Sequence, residues 1–186
     1  VNRWHYQQAV RCLHRGGVIA YPTEAVYGLG CDPWDRSAVE RLLTLKKRPW
    51  QQGLILIAAS YAHLEPFLLP LSPRLRQRVF ATWPGPVTWL LPAQPDIPPW
   101  LCGQHHTLAV RITAHPQAAA LCRAWGGALV STSANQTRHR PARSALQVRL
   151  AFPQGIDYLL PGSLGGQSRP SEIRDGHSGQ VLRAGG

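Results

Sequence analysis

No run of this sequence approaches the roughly 20 uninterrupted apolar residues that a membrane-spanning helix requires. The segment Val1-Asn2-Arg3-Trp4-His5-Tyr6-Gln7-Gln8 also lacks the charged-then-apolar layout of a secretory signal. A soluble, cytoplasmic protein with no membrane partner is therefore expected. No C-x-x-C pair occurs, because Cys12, Cys31, Cys102 and Cys122 are widely spaced. That argues against a zinc ribbon or a thioredoxin-type site and predicts reduced, mostly buried thiols. Cys102 with His105 and His106 is a partial ligand set with no second pair following, so no metal ligand is assigned. Neither a Walker-type phosphate loop, nor G-x-G-x-x-G, nor the G-x-S-x-G elbow of a serine hydrolase is present. Internal repeats and low-complexity tracts are also lacking.

Acid is scarce. Nine Asp and Glu stand against 20 Lys and Arg, a formal charge of +11, and every one of those cations except Lys46 and Lys47 is an arginine. No acid occurs between Asp96 and Asp157, a stretch holding Arg111, Arg123, Arg138, Arg140, Arg143 and Arg149. Such a field attracts anions, a nucleotide first and nucleic acid second, although a solvated basic face without a specific role is the competing explanation.

The 186 residues, 44% of them hydrophobic, suffice for one α/β domain over residues 1–186. Helix and strand signals alternate throughout. A helix over residues 4–15 stops at Gly16-Gly17, and a buried strand follows over 18–21. Ser37 and Glu40 have capping-box spacing ahead of a helix that ends near Lys46, before Pro49. The apolar run 54–59 reads as a strand buried on both faces. Further helices are expected from Ala62, from Ser72-Pro73, over 116–125 and over 141–150, with strands over 87–91, 108–112, 129–133 and 181–183. Trp83, Trp89 and Trp100 are expected in the core or at its rim. The turn-rich segment 161–168 is expected to form a mobile loop within the domain.

Several segments carry polar chemistry. Tyr21-Pro22-Thr23-Glu24-Ala25-Val26-Tyr27-Gly28-Leu29-Gly30 reads as a loop permitting close backbone approach, with the Thr23 hydroxyl available to a ligand. Lys46-Lys47-Arg48-Pro49 places cations at a helix C-terminus, where they complement the dipole or reach phosphate oxygens. Arg111 interrupts an apolar strand, and Ser131-Thr132-Ser133-Ala134-Asn135 ends another with small hydrogen-bonding groups. Together they describe a polar, cationic crevice better than a covalent-catalysis site, and suit attack on phosphorus by positioning and charge stabilisation.

Taken in order with Trp83-Pro84-Gly85-Pro86-Val87-Thr88 and Pro170-Ser171-Glu172-Ile173-Arg174-Asp175, these motifs make the chain resemble the YrdC/TsaC family over nearly its full length. These are the threonylcarbamoyl-AMP synthases of tRNA modification. The resemblance implies a twisted mixed α/β sheet with flanking helices and a concave positive cavity, as in dihydroxybutanone-phosphate synthase. It implies conversion of L-threonine, bicarbonate and ATP to threonylcarbamoyl-AMP and pyrophosphate. Mg²⁺ would be bound through the phosphates, and the product would pass to a tRNA-modification transferase complex acting on adenosine 37. A direct contact with tRNA or double-stranded RNA stays open.

Carried over by position, Thr23, Arg111, Ser131 and Ser171 resemble threonine ligands. Arg48, Gln52, Thr107, Ser133, Asn135 and Arg183 resemble ATP ligands. Lys46, Arg48 and Arg111 are the residues to which the resemblance assigns the chemistry. The pattern departs at Gln52-Gly53-Leu54-Ile55, where longer relatives continue into a histidine, and at Thr137-Arg138, which stands where Ser-Gly is usual. A non-catalytic RNA platform and a carbamoyl-adenylate enzyme with another acceptor are the rival readings.

Overall fold

The computed structural model describes residues 2–185. A nine-stranded mixed sheet runs through the molecule in the order β7-β1-β2-β6-β3-β5-β4-β8-β9. Its strands are β1 (Ile19–Pro22), β2 (Tyr27–Gly30), β3 (Ile55–Ala58), β4 (Val87–Pro92), β5 (Thr107–Ile112), β6 (Leu129–Ser133), β7 (Tyr158–Leu159), β8 (Glu172–Asp175) and β9 (Val181–Arg183). The helices are α1 (Arg3–His14), α2 (Arg36–Lys46), α3 (Pro73–Phe80), α4 (Pro99–Cys102), α5 (Pro116–Trp125) and α6 (Ala145–Ala151). No helix among the described residues is long and apolar enough to cross a membrane.

Strand alternation divides the core between the two faces of the sheet. Ile19, Tyr21, Ile57 and Leu129 pack with Ala9 and Leu13 of α1 and with Ala118, Leu121 and Cys122 of α5. Their chain neighbours Val18, Ala20, Leu56 and Val130 turn to the opposite face, against Val39 and Leu42 of α2 and the fully buried Trp89. Trp83 is likewise buried and Trp100 is partly so. The four thiols are unpaired, two of them buried. Burial raises the pKa of each, so none is a ready nucleophile at neutral pH.

Several expectations are corrected. The N-cap of α2 is Asp35, whose carboxylate accepts from Ala38 N at 3.0 Å; Ser37 lies inside the helix and Glu40 pairs with Arg36. The region after Ala62 forms two short 3-10 turns, Tyr61–His63 and Glu65–Phe67, instead of a helix; Pro66 lacks the amide that a continuing helix needs. The helix expected over 141–150 begins only after Ser144, which caps Gln147 N. The segment from Tyr21 to Gly30 is a β-hairpin, with β1 and β2 antiparallel.

Residues 161–168, expected to be a mobile loop, are tied down at five points. Tyr27 Oη donates to Gly162 O at 2.7 Å, Gly165 N to Thr23 O, and Gln167 N to Glu24 O. His115 Nε2 meets Ser163 O, and Gln117 Nε2 donates to Pro161 O. A side chain at Gly165 would sit 3.0 Å from Glu24 Cα, so glycine is what lets the two backbones pair here.

Candidate active site

The sheet register places one row across its centre in which small side chains alternate with larger aliphatic ones. Ser131 faces Ile55, Ile55 faces Ala109, and Ala109 faces Leu90, while Ser133 pairs with Gly28. Serine, alanine and glycine cannot fill the space that α1 and α5 leave uncovered, and a cavity of about 430 Å³ opens over this row. Two residues further along, on the same face, Ile57 pairs with both Leu129 and Arg111, which marks the edge of the apolar cluster beneath α5. Arg111 thus stands where core gives way to cavity.

The floor is built from Thr23, Glu24, Arg111 and Ser131, all buried. Arg111 Nη1 lies 2.7 Å from Glu24 Oε2, with each side chain only 8% exposed. Thr113 Oγ1 donates to Glu24 Oε1 at 2.7 Å. Beyond this ion pair, neither Glu24 Oε2 nor Arg111 Nε has a hydrogen-bond partner. Burial alone would raise the Glu24 pKa; the charge of Arg111 and the Thr113 hydroxyl outweigh it and hold the carboxyl below its ordinary value. Thr23 Oγ1 donates to Val26 O at 2.6 Å, which fixes its hydroxyl over the turn between β1 and β2.

The rim carries Arg48, Gln52, Thr107, Ser133, Ser171 and Arg183. Arg48 follows the C-terminus of α2, where Lys47 adopts the left-handed conformation that ends the helix. Its Nη2 donates to Gly53 O at 3.0 Å and its Nε is unpartnered. Burial, then the charge of Arg183, presses its pKa down. Gly53 and Gly103 both have positive φ and meet backbone to backbone, which seats the Gln52 turn on α4. On the far wall, Ser171 Oγ lies 3.0 Å from Thr88 Oγ1, and Arg183 Nη2 donates to Ser171 O at 2.7 Å.

The cavity therefore gathers nine of the residues singled out in the sequence, all but Lys46 and Asn135. Lys46 is 3% exposed and turns behind the rim, where its Nζ donates to Ser133 O and, at 2.7 Å, to Asn135 O. Burial, with Arg48 adding, pushes its pKa down to about 8. Asn135 accepts from Ser133 Oγ at 2.5 Å and donates to Gln136 O and His139 O. Both residues shape the loop after β6 and do not line the cavity. Thr137, at one of the departures from the family pattern, donates through Oγ1 to Lys46 O and Lys47 O and so closes the end of α2.

Sequence reasoning assigned no site role to Glu24 or to the exposed His105, both of which line the cavity. The signal for Glu24 was Arg111 itself: a guanidinium in an interior strand needs a carboxylate partner. Among the described residues no cluster of three His, Cys, Asp or Glu is placed to hold a metal ion.

Similarity to known proteins agrees with this geometry. A threonylcarbamoyl-AMP synthase of Nitrosococcus oceani is 58% identical over 180 residues, 97% of each chain. One of Halorhodospira halophila is 60% identical over 171 residues, 92% of this chain and 90% of that protein. The structure of P. abyssi Sua5 complexed with L-threonine matches with a TM-score of 0.93 at 30% identity. It covers all of this chain, which spans 55% of the Sua5 chain. Residues 11–185 match the Sua5/YciO/YrdC family, described as telomere recombination, and the chain belongs to that family.

Proposed function

We propose that this chain is an L-threonylcarbamoyladenylate synthase, a nucleotidyltransferase that joins L-threonine, bicarbonate and ATP and releases pyrophosphate. One observation carries the reading: a single cavity combines a buried floor containing Arg111 with a rim bearing Arg48 and Arg183. The full-length similarity to threonylcarbamoyl-AMP synthases supports it.

The substrates supply both nucleophiles. The threonine amine attacks the bicarbonate carbon, and a carbamate oxygen then attacks the α-phosphorus as the bond to pyrophosphate breaks. The protein's part is to orient these groups and stabilise charge. In our reading Arg111 holds the threonine carboxylate, with Thr23, Ser131 and Ser171 around the amino acid. Arg48 and Arg183 meet phosphate oxygens, where guanidinium forks bond strongly. Gln52, Thr107 and Ser133 contact the nucleotide. Lys46 and Asn135 act from behind, by holding the Ser133 loop in place.

Among the described residues the one carboxylate lining the cavity, Glu24, is engaged by Arg111 and Thr113. Mg²⁺ would therefore arrive on the phosphates instead of in a protein cage, in keeping with its preference for water and phosphate oxygens. We further propose a cytoplasmic protein of one domain whose product passes to a tRNA-modifying transferase complex, as the first step of N6-threonylcarbamoyladenosine formation at position 37. The exposed Lys47, Arg138, Arg140 and Arg143 offer a surface to tRNA or double-stranded RNA.

Mass spectrometry of reactions containing ATP, L-threonine and bicarbonate tests the reading. The adenylate is expected only when all three are present; R111A should abolish it, and R48A should severely reduce it at limiting ATP. Purified wild-type protein that binds ATP yet forms no threonine-dependent adenylate would overturn it.

A further inference from the structure

The motif Trp83-Pro84-Gly85-Pro86-Val87-Thr88 contributes no lining residue to the cavity, yet it is bonded to both sides of the amino-acid subsite. Gly85 N donates at 2.9 Å to the carbonyl oxygen of Ile112, the residue after Arg111. Pro86 O accepts at 3.1 Å from the amide of Glu172, the residue after Ser171. A side chain at Gly85 would collide with Thr82 O, so glycine is what this turn accepts. The turn thereby ties the floor to the far wall.

Thr88 extends the same link to side chains. Trp89 pairs with Val110, and strand alternation puts their neighbours Thr88 and Arg111 on the side of the sheet that Leu90 and Ala109 present to the cavity. Thr88 is fully buried, and its Oγ1 lies 3.0 Å from Ser171 Oγ. Among the described residues this oxygen is the one side-chain partner of Thr88 Oγ1, so the Thr88 proton goes to it; aimed elsewhere it would be a buried donor left unpaired. Arg183 Nη2, which can only donate, stands 3.5 Å from the same Ser171 oxygen. Both neighbours of Ser171 Oγ therefore offer a hydrogen and neither accepts one. The Ser171 O–H is left to point into the cavity that this residue lines.

We infer that Thr88 is a positioning residue of the amino-acid subsite: by donating to Ser171 Oγ it fixes the Ser171 hydroxyl as a donor to an acceptor oxygen of the bound amino acid. This rests on the synthase reading above, in which Ser171 contacts threonine. A hydroxyl held in this way does not have to be ordered by the ligand, and affinity rises without any contact from Thr88 itself. The link orients a bound reactant and moves no proton, so its loss should fall on threonine affinity and spare turnover at saturation.

Calorimetric titration of L-threonine, with the KM for ATP and kcat measured alongside, tests this on T88V, T88S, S171A and T88V/S171A. Valine keeps the shape of threonine and removes its hydroxyl. T88V should weaken threonine binding about 3- to 10-fold and S171A about 10-fold, the worth of neutral hydrogen bonds. The double variant should bind no more weakly than S171A, because Thr88 acts through a hydroxyl that S171A has already removed. T88S restores the donor and should bring affinity back to within about twofold of wild type. In T88V the KM for ATP and kcat should stay near wild type. Its melting temperature should not fall, since Ser171 still reaches water in the cavity and no buried partner is stranded. A role confined to packing would do the reverse, lowering the melting temperature and leaving threonine affinity unchanged.

Where wild type forms the adenylate, undiminished threonine affinity in T88V or in S171A would overturn the inference and leave the function intact. So would a double variant weaker than S171A by the full T88V factor. T88A makes the same comparison should valine prevent folding. Absence of adenylate in the wild-type reaction would remove the synthase reading and this inference with it.

Discussion

The floor and the rim of the cavity use arginine in opposite ways. On the floor, Arg111 is buried against Glu24 and its charge is answered within the protein. At the rim, Arg48 and Arg183 form no ion pair among the described residues and spend their ordered hydrogen bonds on the backbone oxygens of Gly53 and Ser171. A neutral, oriented floor suits a small ligand carrying both signs of charge. An unanswered positive rim suits a ligand carrying several negative ones, and its field reaches into solvent in a way that a compensated pair cannot. One cavity can thereby sort two substrates by charge pattern, with the excess of arginine confined to one of its halves.

The comparison breaks most sharply at Arg111. R111A leaves Glu24 buried without its partner, which should cost about 3–5 kcal/mol of stability in urea unfolding, together with loss of adenylate formation. E24Q/R111M removes both charges and should recover much of that stability but none of the synthesis, which separates the two losses.

Behind the rim, Lys46 is held in its carbonyl cage at a pKa of about 8, against an ordinary 10.5. Between these values the unfolded chain binds the extra proton. Stability at this position therefore rises as pH increases through that window and is level below it. The gain approaches about 3 kcal/mol, and it should vanish when K46M is compared with wild type across the same range.

R48A acts on the rim alone. It should raise the KM for ATP by about 10- to 100-fold, the worth of a lost charged hydrogen bond, while leaving threonine binding and unfolding nearly as they are. A matching loss of threonine affinity would show that floor and rim are not separable. The smallest effect is expected of T137V, which uncaps Lys46 O and Lys47 O and should cost about 1 kcal/mol in thermal unfolding without altering either substrate's affinity.

The sequence exposed some of this arrangement and hid the rest for physical reasons. Helices with local punctuation were legible: α3 starts at Ser72-Pro73, and α5 runs from Pro116 to a C-cap at Gly126 with positive φ. Strands with continuous apolar runs were equally plain. β2, by contrast, is the glycine-rich Tyr27–Gly30, which reads as a turn until its partner β6 is known. The charged β8 likewise exists through parallel pairing with β4. Capping is decided by which polar side chain reaches the free amides, and Asp35 displaced Ser37 in a way that spacing alone does not foretell.

Within the site, the residues that reach the cavity were identified by their motifs. Whether Lys46 points into it or behind it depends on the carbonyls of Ser133 and Asn135, 87 and 89 residues away. Glu24 was visible in the sequence, but only the fold brings it to Arg111.

The tethered segment 161–168 has one further consequence. Gly165 N and Gln167 N donate to the carbonyl oxygens of the very two residues, Thr23 and Glu24, that begin the floor. The exchange of those amides with deuterated solvent depends on how often these hydrogen bonds open. They are built-in reporters: slower exchange at these two positions on adding threonine would register occupancy of the floor through the backbone, with every side chain left as nature placed it.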